Sequence, residues 1–437
     1  MSFTVTATGD SLFTAPFPKE YASVRGELDN FLAGIDLKLT NLETNIVEYG
    51  GYANQYSGGC YLATSKDIFD DLASFGFDFY GTANNHCMDF SYPGLLSTVD
   101  FLESRGYAHA GTGSSLSEAE RPAIISLPGG ERIAVFAVDA IWEPASMAGK
   151  ANKAFAPRPG VNYLRRETVY TVSEEDLNEL KRIASETGIN YTRNVEVATG
   201  FDLPDPDGCF TFGKTMFTTR EQPVTRCNEE DLLRLVTNVR RAKEECDYVF
   251  MLVHCHDDDG KSDYGPPAFL LEFCHAVIDA GASAVFGGGC HEFRGIEIYS
   301  GCPIFYSLGD FVFQETYVKH LPPDYLEKYG ASPDATAEEG FFARSKGGKV
   351  GLQYDEIYYL SFLPKITFEN GKMTDLVMVP LKLGFGAGGE AFDGLPYIAK
   401  GETAERICEM LRSRSAELGT ELLYCPSGEN LIRYPVK

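Results

Sequence analysis

Five separate strand-like runs in this sequence end in a side chain that can bind a metal ion or move a proton. The side chains at these strand ends are Asp10, Glu43, Asn85 with His86, His254 and His291. Each run is rich in the β-branched and aromatic residues that favour strands, and helical spacing separates several of them, as in residues 95–102. This alternation predicts an α/β fold, in which ligands collect outside the carboxyl ends of the strands.

The stretch 76–113 shows the arrangement most clearly. A strand-like run at 75–80 is followed by Asn84-Asn85-His86, and a helix then extends to a stop signal at Gly106. An amide offers an oxygen ligand, and an imidazole moves protons near neutral pH. Taken alone, these residues could simply cap the helix, but five strand ends of the same kind favour a metal site.

The types of side chain at the strand ends indicate which metal they would bind. Carboxylate, amide and imidazole groups together suit manganese, iron or zinc, as one or two divalent ions. The sequence has no Cys-x-x-Cys pair, which argues against a structural zinc ribbon.

The charge and the cysteines limit the partners and the compartment. The 38 Lys and Arg against 63 Asp and Glu give a formal net charge of −25, which argues against binding nucleic acid or an anionic membrane. The 11 cysteines have no repeating spacing, and there is neither a basic leader nor a long apolar run. These features predict a cytoplasmic protein without membrane insertion that acts on a small molecule or a peptide; they do not predict its oligomeric state.

Four further predictions of secondary structure depend on more local patterns. Residues 21–31 and 65–75 are predicted as helices. Residues 190–226 show no helical period and are predicted as an insertion containing a hairpin. A second hairpin is predicted at Asn370-Gly371, a dipeptide typical of tight turns.

The strand-end motifs resemble those of the CapA capsule-synthesis family. The matching motifs are Gly9-Asp10, Asn41-Leu42-Glu43, Asn84-Asn85-His86 with Asp89 and Gly94-Leu95, Gly295–Tyr299 and Tyr306–Phe311. That family is linked to poly-γ-glutamate biosynthesis and belongs to the calcineurin-like metallophosphoesterase superfamily. The resemblance implies a four-layer α/β/β/α sandwich and a single domain over residues 1–437, with insertions near 140–230 and 315–350.

The resemblance also implies a set of metal ligands. These are Asp10, Glu43, Asn85, His254 and His291. Asp10 and His291 would hold one ion, Asn85 and His254 the second, and Glu43 would bridge the two. In such a site the metals activate a water and neutralise the charge that develops on the group under attack.

By the same resemblance, His86 would donate a proton to the leaving group and Asp89 would orient it. Asp258 matches an acidic position of the family in the segment after His254, where it could contact substrate. The predicted substrate-binding residues are Asn41, His256, Asp258 and Arg294.

The sequence departs from the family at two places. The family carries a His-x-His pair where this chain has Gly289-Cys290-His291, so one ligand of the second metal is missing. Cys290 as a thiolate and His256 are both candidates to replace it. Asp310 stands where the family has an asparagine.

Three functions follow from these residues. The favoured one is a metal-dependent hydrolase of a phosphoester or amide bond. An alternative is a metal-independent peptide epimerase of the CapA-like type, with Asp10 and His291 as an acid/base pair and with open space beside His291 at Gly289. A third is a non-catalytic, polymer-binding relative, which the net negative charge disfavours for an acidic polymer.

Overall fold

Two mixed β-sheets, one of ten strands and one of six, form the framework of the protein. Smaller sheets of four, two and two strands accompany these two sheets. The structure is a computed structural model that describes residues 2–48, 51–141, 143–425 and 431–436. The α/β class predicted from the sequence is confirmed.

The strands are, in chain order, β1 (Ser2–Leu12), β2 (Leu37–Leu42), β3 (Asn45–Ile46), β4 (Ala63–Thr64), β5 (Phe79–Gly81), β6 (Ala108–Ala110), β7 (Thr112–Gly113), β8 (Ala123–Ser126), β9 (Arg132–Asp139), β10 (Gly160–Val161), β11 (Arg166–Thr171), β12 (Cys209–Phe212), β13 (Thr215–Thr218), β14 (Thr225–Cys227), β15 (Tyr248–Cys255), β16 (Ala284–Gly289), β17 (Ile296–Tyr299), β18 (Cys302–Phe305), β19 (Asp310–Phe313), β20 (Leu360–Glu369), β21 (Lys372–Leu383), β22 (Pro396–Ile398), β23 (Leu423–Cys425) and β24 (Leu431–Tyr434).

The α-helices are α1 (Gly26–Ala33), α2 (Phe69–Ala73), α3 (Ser91–Arg105), α4 (Leu116–Ala119), α5 (Glu174–Thr187), α6 (Tyr191–Thr199), α7 (Glu229–Glu245), α8 (Ala268–Asp279), α9 (Pro323–Lys328), α10 (Ala337–Arg344) and α11 (Gly401–Glu417). Short 3-10 helices span Lys19–Ser23, Glu315–Tyr317, Leu352–Tyr354, Glu356–Tyr359 and Gly386–Gly388.

Strand β1, the first in the chain, lies near the middle of the ten-stranded sheet. The order of this sheet is β23-β24-β21-β20-β1-β2-β5-β6, with β19 paired to β1 and β22 to β21. Strands β1, β2, β5 and β6 run parallel, so their carboxyl ends meet at one edge. The hairpin predicted at Asn370-Gly371 is confirmed, because it joins β20 to β21.

The six-stranded sheet has a parallel centre. Its order is β17-β18-β16-β15-β9-β8, and β9, β15, β16 and β18 run in the same direction. Both faces of β9 are buried, because Ile133, Val135 and Ala137 pack in one apolar cluster while the residues between them pack in another. This explains why the strand is a continuous apolar run in the sequence.

The first of these clusters joins the two sheets. It contains Val5 and Leu39 of the ten-stranded sheet together with Val135 and Phe250 of the six-stranded sheet. The second cluster packs α7 and α8 on the opposite face of the six-stranded sheet. A third packs α1, α2 and α3 against the ten-stranded sheet. The carboxyl ends of both parallel sets are therefore held close together by apolar packing.

Three of the weaker predictions of secondary structure were wrong. The helix predicted over 21–31 is a 3-10 turn followed by α1, because Tyr21 is buried and its hydroxyl donates to the carbonyl of Pro396. The helix predicted over 65–75 is reduced to α2. Residues 191–199 form a helix, α6, which was not predicted and buries none of its residues. The hairpin predicted in this insertion is present as β12 and β13.

Among the described residues, no helix combines the length and the apolar character that a membrane span requires. No disulfide joins the cysteines that the structure describes.

Candidate metal centre

Strand register brings the predicted residues to one place. Asp10 lies opposite Asn41 of β2 and Asp310 of β19, while His254 of β15 lies opposite Asp139 and Gly288. Glu43 and the Asn85-His86 pair follow β2 and β5 at the same edge. We call the side chains that meet there the strand-end cluster; it comprises Asp10, Glu43, Asn85, His86, His254, His256, His291 and Asp310.

Asp10 is fully buried, and both of its carboxylate oxygens are engaged. Oδ1 accepts a hydrogen bond from Nδ2 of Asn41 at 2.7 Å, and Oδ2 accepts one from the backbone N–H of Gly289 at 2.6 Å. Burial alone would raise the pKa of Asp10, but His254 and His291, together with the bond from Asn41, hold it below its ordinary value. Asp10 is therefore a carboxylate at neutral pH.

Glu43 is also fully buried, but its carboxylate has no such support. Within the described chain, neither Oε1 nor Oε2 has a hydrogen-bond partner. Oε1 lies 3.3 Å from Nε2 of His254 and 3.9 Å from Nε2 of His86. Burying a carboxylate without hydrogen bonds costs several kcal/mol, and a bound cation would offset that cost. The two oxygens thus fit a metal-binding role.

His254 is at the centre of the cluster. Its Nε2 lies 2.7 Å from Oδ1 of Asn85 and 3.2 Å from Nε2 of His256, while its Nδ1 lies 3.2 Å from Nδ2 of Asn41. Burial opposes a charge on this ring, but Glu43 and Asp10 raise its pKa well above the ordinary value. Four oxygen-bearing side chains, those of Asp10, Asn41, Glu43 and Asn85, are thus arranged around one imidazole.

His86 is paired with Asp89 in the turn that follows β5. Nδ1 of His86 lies 2.7 Å from Oδ2 of Asp89, whose two oxygens also accept the backbone N–H groups of Gly58 and Leu62. Burial opposes protonation, but Asp89 raises the pKa of His86 above its ordinary value. Asp89 therefore fixes the orientation of the His86 ring and stabilises its protonated form, while Nε2 of His86 points toward Glu43.

His291 has a corresponding partner in Asp310. Nδ1 of His291 lies 3.0 Å from Oδ1 of Asp310, which is fully buried at the start of β19. Burial raises the pKa of Asp310 to about 7, although His291 opposes this rise. Burial would lower the pKa of His291, but Asp310 outweighs burial and raises that pKa above its ordinary value. The pair therefore retains a proton between its two members at neutral pH.

Three overlapping groups in this cluster could each hold a metal ion. They are Asp10, Glu43 and His254; Asp10, His291 and Asp310; and Glu43, His256 and His291. Within each group the ligand atoms lie within 4.8 Å of one another. Their oxygen and imidazole nitrogen donors match those that manganese, iron and zinc use in proteins. The donors therefore fit the predicted divalent transition metal, and the overlap of the groups is consistent with one or two ions.

The structure does not bring every predicted residue into this cluster. Asp258 is exposed, and its Oδ1 accepts the backbone N–H of Gly260. Arg294 is fully buried, and its Nη2 donates to the carbonyl of Asp257 at 2.6 Å. Asn41 contacts Asp10 and His254 directly. Substrate binding by these residues stays a prediction.

The sequence analysis missed one buried acid next to the cluster. Asp139 is the last residue of β9, lies beside His254 in the sheet, and accepts the backbone N–H of Ile141 at 2.9 Å. Burial raises the pKa of Asp139 to about 6, against the opposing effect of His254. Its position at the end of a buried strand is the same signal that identified the other strand ends.

The space expected beside His291 is absent. Gly289 has a φ of +108°, and a Cβ at this position would lie 2.7 Å from the backbone nitrogen of Cys255. The neighbouring strand β15 therefore fills the volume that a side chain would occupy. The expectation that Gly289 opens room for an epimerase substrate was wrong for this reason.

Comparisons with known proteins agree with the resemblance noted in the sequence. Residues 4–315 match the family described as "Bacterial capsule synthesis protein PGA_cap", and this range includes every residue of the strand-end cluster. An uncharacterized protein of Sinorhizobium fredii (strain NBRC 101917 / NGR234) is 30% identical over 431 residues, which covers 96% of this chain and 91% of that protein.

Two more distant relatives have descriptive names. A probable polyglutamine synthesis accessory protein of Mycobacterium tuberculosis (strain ATCC 25618 / H37Rv) is 26% identical over 68% of this chain and 61% of its own length. The PGA biosynthesis protein CapA of Bacillus subtilis (strain 168) is 22% identical over 63% of this chain and 53% of its own length.

Proposed function

This chain belongs to the PGA_cap family of bacterial capsule synthesis proteins, and from that membership and the strand-end cluster we propose that it is a metal-dependent hydrolase. It cleaves a phosphoester or an amide bond and is a member of the calcineurin-like metallophosphoesterase superfamily. The two facing sheets with helices on their outer sides support the four-layer α/β/β/α sandwich implied for a single domain over residues 1–437.

The observation that carries this proposal is the state of Glu43. A fully buried carboxylate whose two oxygens have no hydrogen-bond partner in the described chain, beside four imidazoles that it approaches or groups with, is costly unless a cation binds there. The proposed ligands of one or two ions are Asp10, Glu43, Asn85, His254 and His291. A bound divalent metal supplies an activated water at neutral pH and neutralises negative charge on the group under attack.

The surrounding side chains have separate tasks. Asp310 holds Nδ1 of His291, which leaves Nε2 of that ring available as a ligand atom. Asn41 fixes Asp10 and faces the ring of His254, so it orients two ligands at once. His86, held through Nδ1 by Asp89, gives a proton from Nε2 to the leaving group.

The geometry gives less support to the epimerase alternative. In a reactive arrangement, a catalytic group lies about 3–3.5 Å from the substrate atom it attacks. Two catalytic groups on opposite faces of one substrate carbon must therefore be separated from each other by roughly twice that distance. A carboxylate oxygen of Asp10 and a ring nitrogen of His291 lie within 4.8 Å.

The non-catalytic alternative also has less support. A cleft that only bound an acidic polymer would need cationic side chains, whereas the formal net charge is −25 and the cluster holds three carboxylates.

Metal content and hydrolysis together test the proposed function. Protein expressed with added manganese, iron or zinc should retain at least one equivalent after dialysis, because an occupied site keeps its ion through mild purification. It should hydrolyse a chromogenic phosphoester or an amide, including an amide-linked glutamate oligomer, which the resemblance to a family linked to poly-γ-glutamate biosynthesis suggests. Glu43→Gln keeps the shape but removes the charge, so we expect it to lose metal and activity together.

Glu327→Gln is the matched control, because Glu327 lies exposed in α9. It should leave metal content and rate unchanged. Less than about a tenth of an equivalent in the unaltered protein would contradict the hydrolase proposal, given the retention expected of such a site. Deuterium from heavy water appearing at the α-carbon of a peptide would instead support the epimerase.

A further inference from the structure

His256 extends from the end of β15 toward the centre of the strand-end cluster, and nothing in the hydrolase proposal assigns it a role as a ligand. We propose that His256 is a metal ligand, and that it supplies the nitrogen that residue 289 cannot. This inference rests on the proposed function, since it concerns one of the ions of that site. It replaces the substrate-binding role predicted for His256 from the sequence.

Residue 289 is excluded by its backbone. Its positive φ is one that residues with a side chain rarely adopt, and a Cβ there would overlap the backbone of Cys255. The N–H of Gly289 also donates to Oδ2 of Asp10, which fixes this conformation. No substitution at this position can point a ligand into the cluster without moving β15 away from β16.

Cys290 is directed elsewhere. Its Sγ donates to the backbone carbonyl of Glu292 at 3.0 Å, within its own turn. It is also not a member of any of the three groups of ligand atoms found in the described residues. A thiolate at this position would have to lose that contact and rotate to reach Glu43.

His256 has the geometry of a ligand. Its Nε2 lies 3.2 Å from Nε2 of His254, and it shares a group with Glu43 and His291 whose ligand atoms lie within 4.8 Å of one another. Two imidazole nitrogens bound at about 2.0–2.1 Å to one tetrahedral ion would be roughly 3.4 Å apart. The observed separation is close to that value, so both rings can reach one ion in their present positions.

The position of His256 in the sheet explains how it can act for residue 289. Cys255 is paired with Gly289 in the parallel register of β15 and β16. His256 is the next residue after Cys255, so it leaves its strand beside the position at which β16 ends. His256 can therefore reach Glu43 from the strand end next to the one at which Gly289 lies.

The decisive experiment compares metal binding by His256→Ala with binding by Cys290→Ser. Mn²⁺ binding is measured by equilibrium dialysis and elemental analysis, and the ligand field is followed by the visible absorption spectrum of Co²⁺-loaded protein. We expect His256→Ala to lose one equivalent of metal or to bind it at least tenfold more weakly, with a changed Co²⁺ spectrum. Cys290→Ser should match the unaltered protein in all three measurements.

His256→Gln serves as a second variant, because it keeps most of the volume and one oxygen donor, and circular dichroism reports whether each variant is folded. Unchanged stoichiometry, affinity and spectrum in either folded His256 variant would overturn the inference, since a histidine that only donated a hydrogen bond to His254 would give that result. The hydrolase proposal would survive that outcome. Absence of metal from the unaltered protein would instead overturn the hydrolase proposal and, with it, this inference.

Discussion

At the scale of single residues, the site depends on side chains that hold other side chains. Asp89 accepts two backbone N–H groups as well as His86, so the turn and the imidazole are fixed together. Asp310 holds the ring of His291, although its second oxygen has no hydrogen-bond partner in the described chain. In each pair the partner occupies Nδ1, which leaves Nε2 of the ring to face the cluster. With the same orientation, Nε2 of His291 can bind metal while Nε2 of His86 can donate a proton.

We predict that His86→Ala separates catalysis from metal binding. His86 is a proton donor in the proposed mechanism, and general acid catalysis typically contributes a hundredfold or more, so kcat should fall by about that factor. The metal content should stay unchanged, because the ligand groups do not include His86. Steady-state kinetics and elemental analysis on the same preparation check both parts.

His291→Ala is the matched comparison, since it removes a proposed ligand and should lower metal content and rate together. A His86→Ala protein with near-normal turnover would contradict the role of proton donor.

The residues of the site could be predicted where the signal was local. Asp10, Glu43, His254 and His291 each lie at the end of a strand-like run, and the structure brings them together. The choice between Cys290 and His256 could not be made from the sequence, because it depends on where the backbone of Cys255 lies relative to Gly289. That contact links residues far apart in the chain.

At the scale of elements, close packing of β1 on its neighbour β19 sets the position of Asp10. A Cβ on Gly9 would lie 1.8 Å from the carbonyl oxygen of Gly309, and the register of β1 shifts immediately after this point. The irregular register of β1 directs Asp10 into the cluster, where Asn41 and Gly289 hold it. Glycine at position 9 is therefore required by the approach of two backbones.

We predict that Gly9→Ala destabilises the protein, whereas Gly26→Ala does not. The new methyl group at position 9 must push β19 away from β1, and overpacking of this kind costs about 1–3 kcal/mol or more of the free energy of unfolding. Gly26 begins α1 and has no atom near its Cβ position, so alanine there should be neutral or stabilising by about 0.5–1 kcal/mol. Urea unfolding of both variants provides the measurement. Equal stability of the two would show that β19 can move without cost.

Elements were predictable to the extent that one of their faces is buried. Helix α7 can be recognised in the sequence, because Leu235, Val236 and Val239 recur at helical spacing and form a buried stripe. Helix α6 was missed; none of its residues is buried, so it adds no apolar stripe to the core. The 3-10 turn near Tyr21 was missed because it is set by a contact with Pro396, 375 residues away.

At the scale of the whole molecule, the formal charge of −25 opposes folding through repulsion among the carboxylates. Exposed charges are screened beyond about 10 Å at 0.1 M salt, so added salt should relieve this repulsion. We predict that raising NaCl from 10 to 300 mM, with a chelator present to remove bound metal, raises the Tm by roughly 1–3 °C. Differential scanning fluorimetry measures this shift. A lower Tm in high salt would indicate that the surface ion pairs outweigh the repulsion.

The central position of β1 has a consequence for how the chain is synthesised. One edge of this strand is covered by β2, but the other is covered by β19 and β20, which begin at Asp310 and Leu360. At a translation rate of about 5–20 residues per second, the second edge stays uncovered for on the order of 20–70 seconds. An open strand edge is a template for pairing with other chains. During synthesis, the second edge of β1 is therefore open to pairing with other chains until nearly the whole of the ten-stranded sheet has been made.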